Sequence, residues 1–308
     1  STVTYTITAA NGQTATCSFN VVVNDCTAPV ITCPANLVLE CAGVSNATVI
    51  NTWLTSATAT DNCTTIPVET TLLLNTVDQC GNTERRLYRF TATDAAGNKD
   101  ECFAEVIIQD TTIPIIGTQA TNLTVDCDGN GNSEQLLNWL NNQGGAQATD
   151  LCGNVSWSNN FGSISDLCAS TGATTVIFTV SDACGNTNTT SATFTIRDIT
   201  DPVLSCPADI TLECSNPFNN AIITAWLRSA NAEDVCSGTL QVTNNYPGIF
   251  DSGCGLSGVH TVTFSTVDAC GNDVTCTRTV TINDTTLPII TSPAAPLTVQ
   301  CDGLGNTV

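Results

Sequence analysis

The sequence contains no methionine, one histidine and only seven lysine or arginine residues among its 308 positions. It contains 28 aspartate and glutamate residues, so its formal net charge is −21. Such a chain is repelled by phosphate backbones and by anionic membrane surfaces, so we exclude nucleic acid and acidic lipid as partners. No run of 18 or more apolar residues occurs, so no membrane insertion is expected in this segment.

Patterns that would support catalysis are missing as well. His260 precedes a predicted strand and has no nucleophile pattern nearby. Pairs of carboxylates are too common in so acidic a chain to indicate a glycosidase. No C-x-x-C occurs, so zinc is a weak interpretation of the cysteines. We therefore predict that the protein is not an enzyme.

Cysteine is abundant instead. The chain has 18 cysteines, a density typical of exported proteins in oxidising surroundings rather than of cytosolic enzymes. The sequence therefore predicts an extracellular, disulfide-rich protein.

One segment occurs four times with a period of about 86 residues. Its copies are 24–41, 109–127, 197–214 and 283–301. A unit of that length can enclose its own core, unlike a short solenoid repeat. We expect three complete domains, at 25–109, 110–197 and 198–283. Residues 1–24 then correspond to the C-terminal strands of a preceding repeat, and 284–308 to the N-terminal part of a following one, as in a window from a longer array.

Each repeat is predicted to be all-β with one short helix. Residues 86–94, 174–182 and 261–268 alternate between apolar and polar and end in Asp-x-x-Gly-Asn turns that lead into a second strand. An apolar-periodic stretch earlier in each repeat contains a tryptophan, which we expect to cap the core rather than to stack on a ligand. These tryptophans are Trp53, Trp139 and Trp226.

These motifs together resemble the HYR-type branch of immunoglobulin-like domains. The resemblance covers Asp-Thr-Thr-x-Pro at the repeat start, Cys-Pro after the first strand, Asp-x-Cys in the middle and Asp-Ala-x-Gly-Asn near the end. It implies an all-β fold of tandem immunoglobulin-like β-sandwich domains, each with one short Trp-containing helix and stapled by disulfides.

Such arrays are typical of giant adhesins of Bacteroidota, including gliding-motility adhesins exported by the type IX secretion system. The resemblance thus implies a stalk or filament on the exterior of the outer membrane. Its expected partners are neighbouring repeats of the same chain and a surface, glycan or protein ligand. A spacer array in a large secreted enzyme and a self-assembling surface fibre subunit are the alternatives.

Two disulfides follow from correlated loss. The first-strand and last-strand cysteines occur together in the first and third repeats and are both missing from the second. This coupling predicts Cys33–Cys102 and Cys206–Cys276.

The other pairings are implied by an immunoglobulin-like strand order. Cys168 and Cys184 are separated by a strand roughly 30 Å long, so they cannot bond to each other. That order places the loop cysteines at the end where the chain leaves each domain and the turn cysteines at the end where it enters. Each cysteine is therefore expected to bond to a cysteine at the same end of its own repeat. The first repeat lacks the turn cysteine, and Cys26 is expected to replace it. The predicted pairs are Cys41–Cys80, Cys26–Cys63, Cys127–Cys168, Cys152–Cys184, Cys214–Cys254 and Cys236–Cys270. Cys17 and Cys301 remain for the flanking repeats.

Calcium is the one cofactor that the sequence suggests. Oxygen ligands alternate with glycines in 125–134, at Asp126, Asp128, Asn130, Asn132 and Glu134. A glycine-rich turn whose aspartate caps the following helix is the alternative.

Acidic clusters are also expected where repeats meet. They comprise Asp110, Asp150 and Asp182 in the second repeat, and Asp198, Asp234 and Asp268 in the third. Calcium or the capping of turns would account for them. The linkers are short and contain proline, so we expect a semi-rigid rod.

Overall fold

The computed structural model describes residues 1–41, 45–63, 65–77, 80–248 and 258–299. The predicted all-β class with one short helix in each repeat is confirmed. An isolated hairpin precedes the first repeat and consists of β1 (Thr2–Thr8) and β2 (Thr14–Asn20). Cys254 and Cys301 lie outside the described residues, so the predicted pair Cys214–Cys254 does too.

The described residues of the first repeat form two sheets and one helix. Strand β3 pairs with β5, and the second sheet has the order β4-β8-β7-β6. The elements are β3 (Val30–Thr32), β4 (Leu37–Glu40), α1 (Ser45–Leu54), β5 (Thr58–Thr60), β6 (Val68–Val77), β7 (Glu84–Thr93) and β8 (Lys99–Gln109).

The second repeat follows the same plan. Strand β11 pairs with β9, the second sheet has the order β10-β15-β14-β12, and β13 pairs with β14. The elements are β9 (Ile115–Thr118), β10 (Leu123–Asp126), α2 (Ser133–Asn141), a 3-10 turn (Gln143–Gly145), β11 (Gln147–Thr149), β12 (Ser156–Asn159), β13 (Ser165–Asp166), β14 (Gly172–Ser181) and β15 (Thr187–Arg197).

The third repeat has sheets of order β16-β18-β19 and β17-β22-β21-β20. Its elements are β16 (Val203–Ser205), β17 (Ile210–Glu213), α3 (Asn219–Leu227), β18 (Asn231–Asp234), β19 (Gly238–Leu240), β20 (Thr243–Asn244), β21 (Gly258–Val267) and β22 (Asp273–Asn283).

The tryptophan of each helix packs on a phenylalanine of the long hairpin. Ring centroids of Trp226 and Phe264 are 5.3 Å apart in an edge-to-face arrangement, and Phe264 is fully buried. The indole N–H donates to the carbonyl of Ala208, eighteen residues earlier. The same donation links Trp53 to Ala35 and Trp139 to Thr121. The three tryptophans are therefore part of the core, as predicted.

A parallel strand pair sets the position of the first joint cysteine. Strand β4 runs parallel to β8, so both strands finish at the end of the repeat that leads into the next one. Cys41, directly after β4, donates its backbone N–H to the carbonyl of Gln109 at the end of β8. The corresponding bonds run from Cys127 to Arg197 and from Cys214 to Asn283.

The chain divides into two compact units whose limits differ from the repeat boundaries. The first comprises Ser1–Leu123, Leu136–Ser163 and Thr174–Phe194, and the second Thr124–Gln135, Ile164–Ala173 and Thr195–Val308. The two short pieces of the second repeat that belong to the second unit carry Cys127 and Cys168. Both cysteines are bonded to the third repeat, which explains the division. The boundaries 25–109, 110–197 and 198–283 stay predictions.

Candidate functional site

The candidate functional site is a joint that occurs twice, where one repeat is followed by the next. We call the end of a repeat at which its last strand finishes the exit end, and the opposite end the entry end. In the first compact unit, exit-end cysteines of the first repeat bond to entry-end cysteines of the second. These bonds are Cys41–Cys152, with Cα atoms 5.5 Å apart, and Cys80–Cys184, with Cα atoms 4.9 Å apart.

The second joint, in the second compact unit, repeats the arrangement. Cys127 bonds to Cys236 and Cys168 bonds to Cys270, with Cα separations of 6.0 and 5.3 Å. Corresponding positions of the repeats are thus used both times: the cysteine after a strand bonds to the cysteine of an Asp-x-Cys segment, and the loop cysteine bonds to the cysteine of a Gly-Asn turn.

This pattern corrects five predicted pairings. Cys41–Cys80, Cys127–Cys168, Cys152–Cys184, Cys236–Cys270 and Cys26–Cys63 are wrong. The immunoglobulin-like strand order correctly places the two cysteines of each pair at the same end of one repeat. At the joints, however, each cysteine bonds to a cysteine of the adjoining repeat that faces it. Cys26 and Cys63 carry free thiols and are exposed, as is Cys17. Within the repeats the structure contains Cys33–Cys102 and Cys206–Cys276, the two pairs that correlated loss predicts.

Backbone contacts accompany the bridges. At the first joint, the N–H of Asn82 donates to the carbonyl of Cys152 over 2.9 Å. A Cβ on neighbouring Gly81 would lie 2.7 Å from that same carbonyl oxygen, and Gly81 has a φ of +58°. At the second joint, Gly129 has a φ of +75°, and its Cβ would lie 2.6 Å from the carbonyl oxygen of Val235. Only glycine tolerates both the left-handed backbone and so close an approach.

The Gly-Asn turns of the entry ends are held by a single carboxylate each. Oδ1 of Asp182 accepts the backbone N–H groups of Cys184 and Asn186, and Oδ2 accepts the side-chain amide of Asn186. Burial alone would raise the pKa of Asp182, but these hydrogen bonds lower it below the ordinary value of an aspartate. Asp94 and Asp268 make equivalent bonds, and their pKa values are lowered in the same way.

A glutamate at the exit end holds the linker. Glu40 accepts the hydroxyl of Thr111 over 2.6 Å and its backbone N–H over 3.0 Å. Hydrogen bonds from Thr111 hold the pKa of Glu40 below its usual value. In the third repeat Glu213 accepts from Thr285 in the same manner. Sequence reasoning missed these anchors, although a Glu before the strand-end cysteine and a Thr after the linker Asp recur together.

Carboxylates cluster beside the first joint. One oxygen each from Asp110, Asp150 and Asp182 lie within 4.8 Å of one another. In the third repeat Asp198 and Asp234 meet in such a group with Cys236, whereas Asp268 is not part of it. The clustering predicted from sequence is therefore present in the second repeat and partial in the third.

The Asp126–Glu134 loop forms a turn. Oδ1 of Asp128 accepts the backbone N–H groups of Asn130 and Asn132, which lowers the pKa of Asp128. The fully buried Asn132 side chain donates to the carbonyl of Asp126, and the Asp126 carboxylate accepts from Arg197. Among the described residues, no group of three close histidine, cysteine or carboxylate ligand atoms includes Asp126, Asp128 or Glu134. Calcium in this loop stays a prediction.

No protein-family model and no curated protein sequence matches the chain. Similar solved structures include the extracellular domain of protocadherin gamma B4, with 10% identity, 92% of this chain and 54% of that chain covered, and a TM-score of 0.37. Mouse cadherin-23 EC22-24 shows 13% identity, 83% and 99% coverage, and a TM-score of 0.30. Drosophila N-cadherin EC1-4 shows 11% identity, 92% and 84% coverage, and a TM-score of 0.27. These TM-scores are low, so the fold class rests on the strands, sheets and cores of this chain.

Proposed function

We propose that the protein is the extracellular stalk or filament region of a large repetitive cell-surface adhesin, with gliding motility as the process that the resemblance suggests. The observation that carries this proposal is the pair of disulfides at each joint. A stalk transmits force along its chain, and covalent bonds between successive repeats oppose its extension. Oxidising conditions outside the cell are those in which such bonds persist. In the described part of the chain, no helix has the length and apolarity needed to cross a bilayer.

The covalent route through the array is short. From Cys26 to Asn283 it follows residues 26–41, crosses Cys41–Cys152, follows 152–168, crosses Cys168–Cys270 and follows 270–283. The bridges thus bypass most of the first two repeats, including their long hairpins, whereas in the third repeat the route follows one strand of the hairpin, β22. Pulling on the chain therefore loads these three short segments and the disulfides that join them, which suits a tether that must hold a cell under drag.

We further propose that calcium binds at the first joint, with Asp110, Asp150 and Asp182 as its oxygen ligands. Three carboxylates within 4.8 Å repel one another, and a hard cation offsets that repulsion. Each carboxylate also accepts hydrogen bonds within its own turn, which fixes its direction. Such an ion would hold the linker of the second repeat to its two neighbouring turns and would have no part in chemistry.

The adhesin proposal is tested on intact cells of the source organism. Antibodies raised against residues 25–283 should label the cells without permeabilisation, and their monovalent fragments should reduce attachment to glass or to a glycan-coated surface. Fragments from non-immune antibodies are the matched control. Labelling that requires permeabilised cells, or undiminished attachment at saturating fragment, would refute the proposal. A catalytic module in the same polypeptide together with undiminished attachment would support the spacer alternative.

A further inference from the structure

The entry end of the first repeat has the same construction as the two entry ends that are bonded across joints. In Cys63, Cys152 and Cys236 the backbone N–H donates to the aspartate two residues earlier, over 2.9, 2.7 and 2.8 Å. The thiol of Cys63 lies within 4.8 Å of carboxylate oxygens of Asp25 and Asp61, as Cys236 does with Asp198 and Asp234. Cys152 and Cys236 are both disulfide-bonded to the preceding repeat, whereas Cys63 is exposed and free.

At the entry end of the first repeat, the second cysteine comes from a different segment of the chain than at the other two entry ends. Cys184 and Cys270 lie in Gly-Asn turns, and the corresponding residue of the first repeat is Ala96. The side-chain amide of Asn98, in that turn, donates to the carbonyls of Asp25 and Thr27. Cys26, between them, is therefore held beside the turn that lacks a cysteine. It is exposed and free, like Cys63.

We propose that this entry end is a two-cysteine docking face for the exit end of another repeat of this kind. Cys63 bonds the cysteine that follows the partner's parallel strand, the position of Cys41 and Cys127. Cys26 bonds the partner's loop cysteine, the position of Cys80 and Cys168. In this arrangement the two thiols bond to a facing repeat instead of to each other, as the corresponding cysteines do at the other two joints. This inference holds whatever the array adheres to.

Each bond needs an oxidant, and a small-molecule disulfide such as oxidised glutathione supplies it. A thiolate of the docking face attacks one glutathione sulfur and releases one reduced glutathione. The partner thiolate then attacks the mixed disulfide and releases the second. Two thiol protons are lost, two electrons pass to the glutathione disulfide, and one protein disulfide forms for every two reduced glutathione molecules. A hydrogen bond to Asp25 raises the pKa of the Cys63 thiol, which reduces the fraction of Cys63 present as the reactive thiolate.

The test inserts a second copy of residues 110–197 directly before Asp25 of the full chain. The copy brings an exit end with its own Cys127 and Cys168, while the peptides that contain Cys26 and Cys63 remain unique. After refolding in a glutathione redox buffer, digestion without reduction and mass spectrometry should find Cys63 linked to Cys127 and Cys26 linked to Cys168. With Cys127→Ser in the copy, Cys63 should become accessible to alkylation while Cys26 stays bonded.

The unmodified chain supplies an independent measurement that does not depend on the inserted copy. In the same buffer its Cys26 and Cys63 should be alkylated or carry glutathione. A Cys26–Cys63 bond in that chain would overturn the proposal. So would equal alkylation of both thiols with and without the inserted copy, when the digest also contains the native linkages Cys33–Cys102 and Cys41–Cys152.

Discussion

Cys41 is bonded to Cys152, 111 residues further along the chain and in the next repeat. Cys41 lies directly after a strand that finishes beside the linker, and Cys152 lies in a turn held by Asp150. Both cysteines are buried at the joint. The bond therefore joins two elements that are already fixed in their own repeats, and a first prediction concerns what is lost without it.

Replacing Cys41 and Cys152 together by serine should separate the unfolding of the first two repeats. In the chain-entropy model a loop of this length contributes about 4–5 kcal/mol, much of which should disappear from the free energy of unfolding. Denaturant unfolding followed by tryptophan fluorescence would measure the change. The matched control is Cys33→Ser with Cys102→Ser, which removes a bond within one repeat and should destabilise that repeat alone. Identical unfolding curves for wild type and the Cys41/Cys152 variant would contradict the prediction.

A second prediction concerns Gly81, whose hypothetical Cβ meets the Cys152 carbonyl. Gly81→Ala should destabilise the protein by about 1–2 kcal/mol from its left-handed backbone alone, and the contact should add to this. Gly117→Ala is the control, because a Cβ there meets nothing within 4 Å and its φ is not positive. Equal melting temperatures for the two variants would show that the close approach at the joint is unimportant.

Residue patterns predicted the elements of each repeat because those elements depend on local chemistry. The alternating strands end in turns in which an aspartate accepts hydrogen bonds from the glycine and the asparagine, as Asp268 does from Gly271 and Asn272. A tryptophan occurs at the position of Trp139 in each repeat, within the same short helix, and makes the same hydrogen bond. Correlated loss likewise pointed to Cys33–Cys102, since both cysteines belong to one repeat.

The joints could not be predicted in this way. Cys41, Cys80, Cys152 and Cys184 form two bonds whether they pair within their repeats or across the joint, so counting does not distinguish Cys41–Cys80 from Cys41–Cys152. The choice depends on how closely adjoining ends approach, and Gly81 and Gly129 are the residues that permit the approach. One glycine among 21 carries no such signal in a single sequence.

A third prediction concerns pH. Asp94, Asp182 and Asp268 have folded-state pKa values below those of an unfolded chain. Their ionised carboxylates therefore stabilise the folded state more than their protonated forms do. Their contribution to stability is complete well above the unfolded aspartate pKa of about 3.9 and is lost as pH falls through the lower folded values. Melting temperature should therefore decline below about pH 4. Asp182→Asn keeps an oxygen acceptor but does not titrate, so its decline should be shallower; an unchanged slope would contradict this assignment.

A fourth prediction concerns calcium at Asp110, Asp150 and Asp182. Titration against a background of high sodium should raise the melting temperature saturably, because a specific site adds stability beyond the screening of a −21 charge. Asp150→Asn can still accept the N–H of Cys152 yet loses a charged ligand, so it should abolish the effect. Loss of the effect in Asp128→Ala instead would place the ion in the 125–134 loop, and an equal response to sodium and calcium would leave only screening.

The last prediction concerns extension under force. Between Cys26 and Asn283 the bridged route contains about 45 residues, whereas the backbone contains about 260. At about 3.5 Å for each extended residue, the oxidised protein should lengthen to no more than ~170 Å and the reduced protein to ~900 Å. Single-molecule pulling between handles at these two positions would measure both limits. In the variant that lacks Cys41 and Cys152, the bond Cys80–Cys184 still joins the first two repeats, so the maximum extension should increase only to the length of the route through that bond. The difference between the two maximum extensions separates the contributions of the two bonds at this joint. Full extension of the oxidised protein to the reduced length would show that the bridges at the joints are absent.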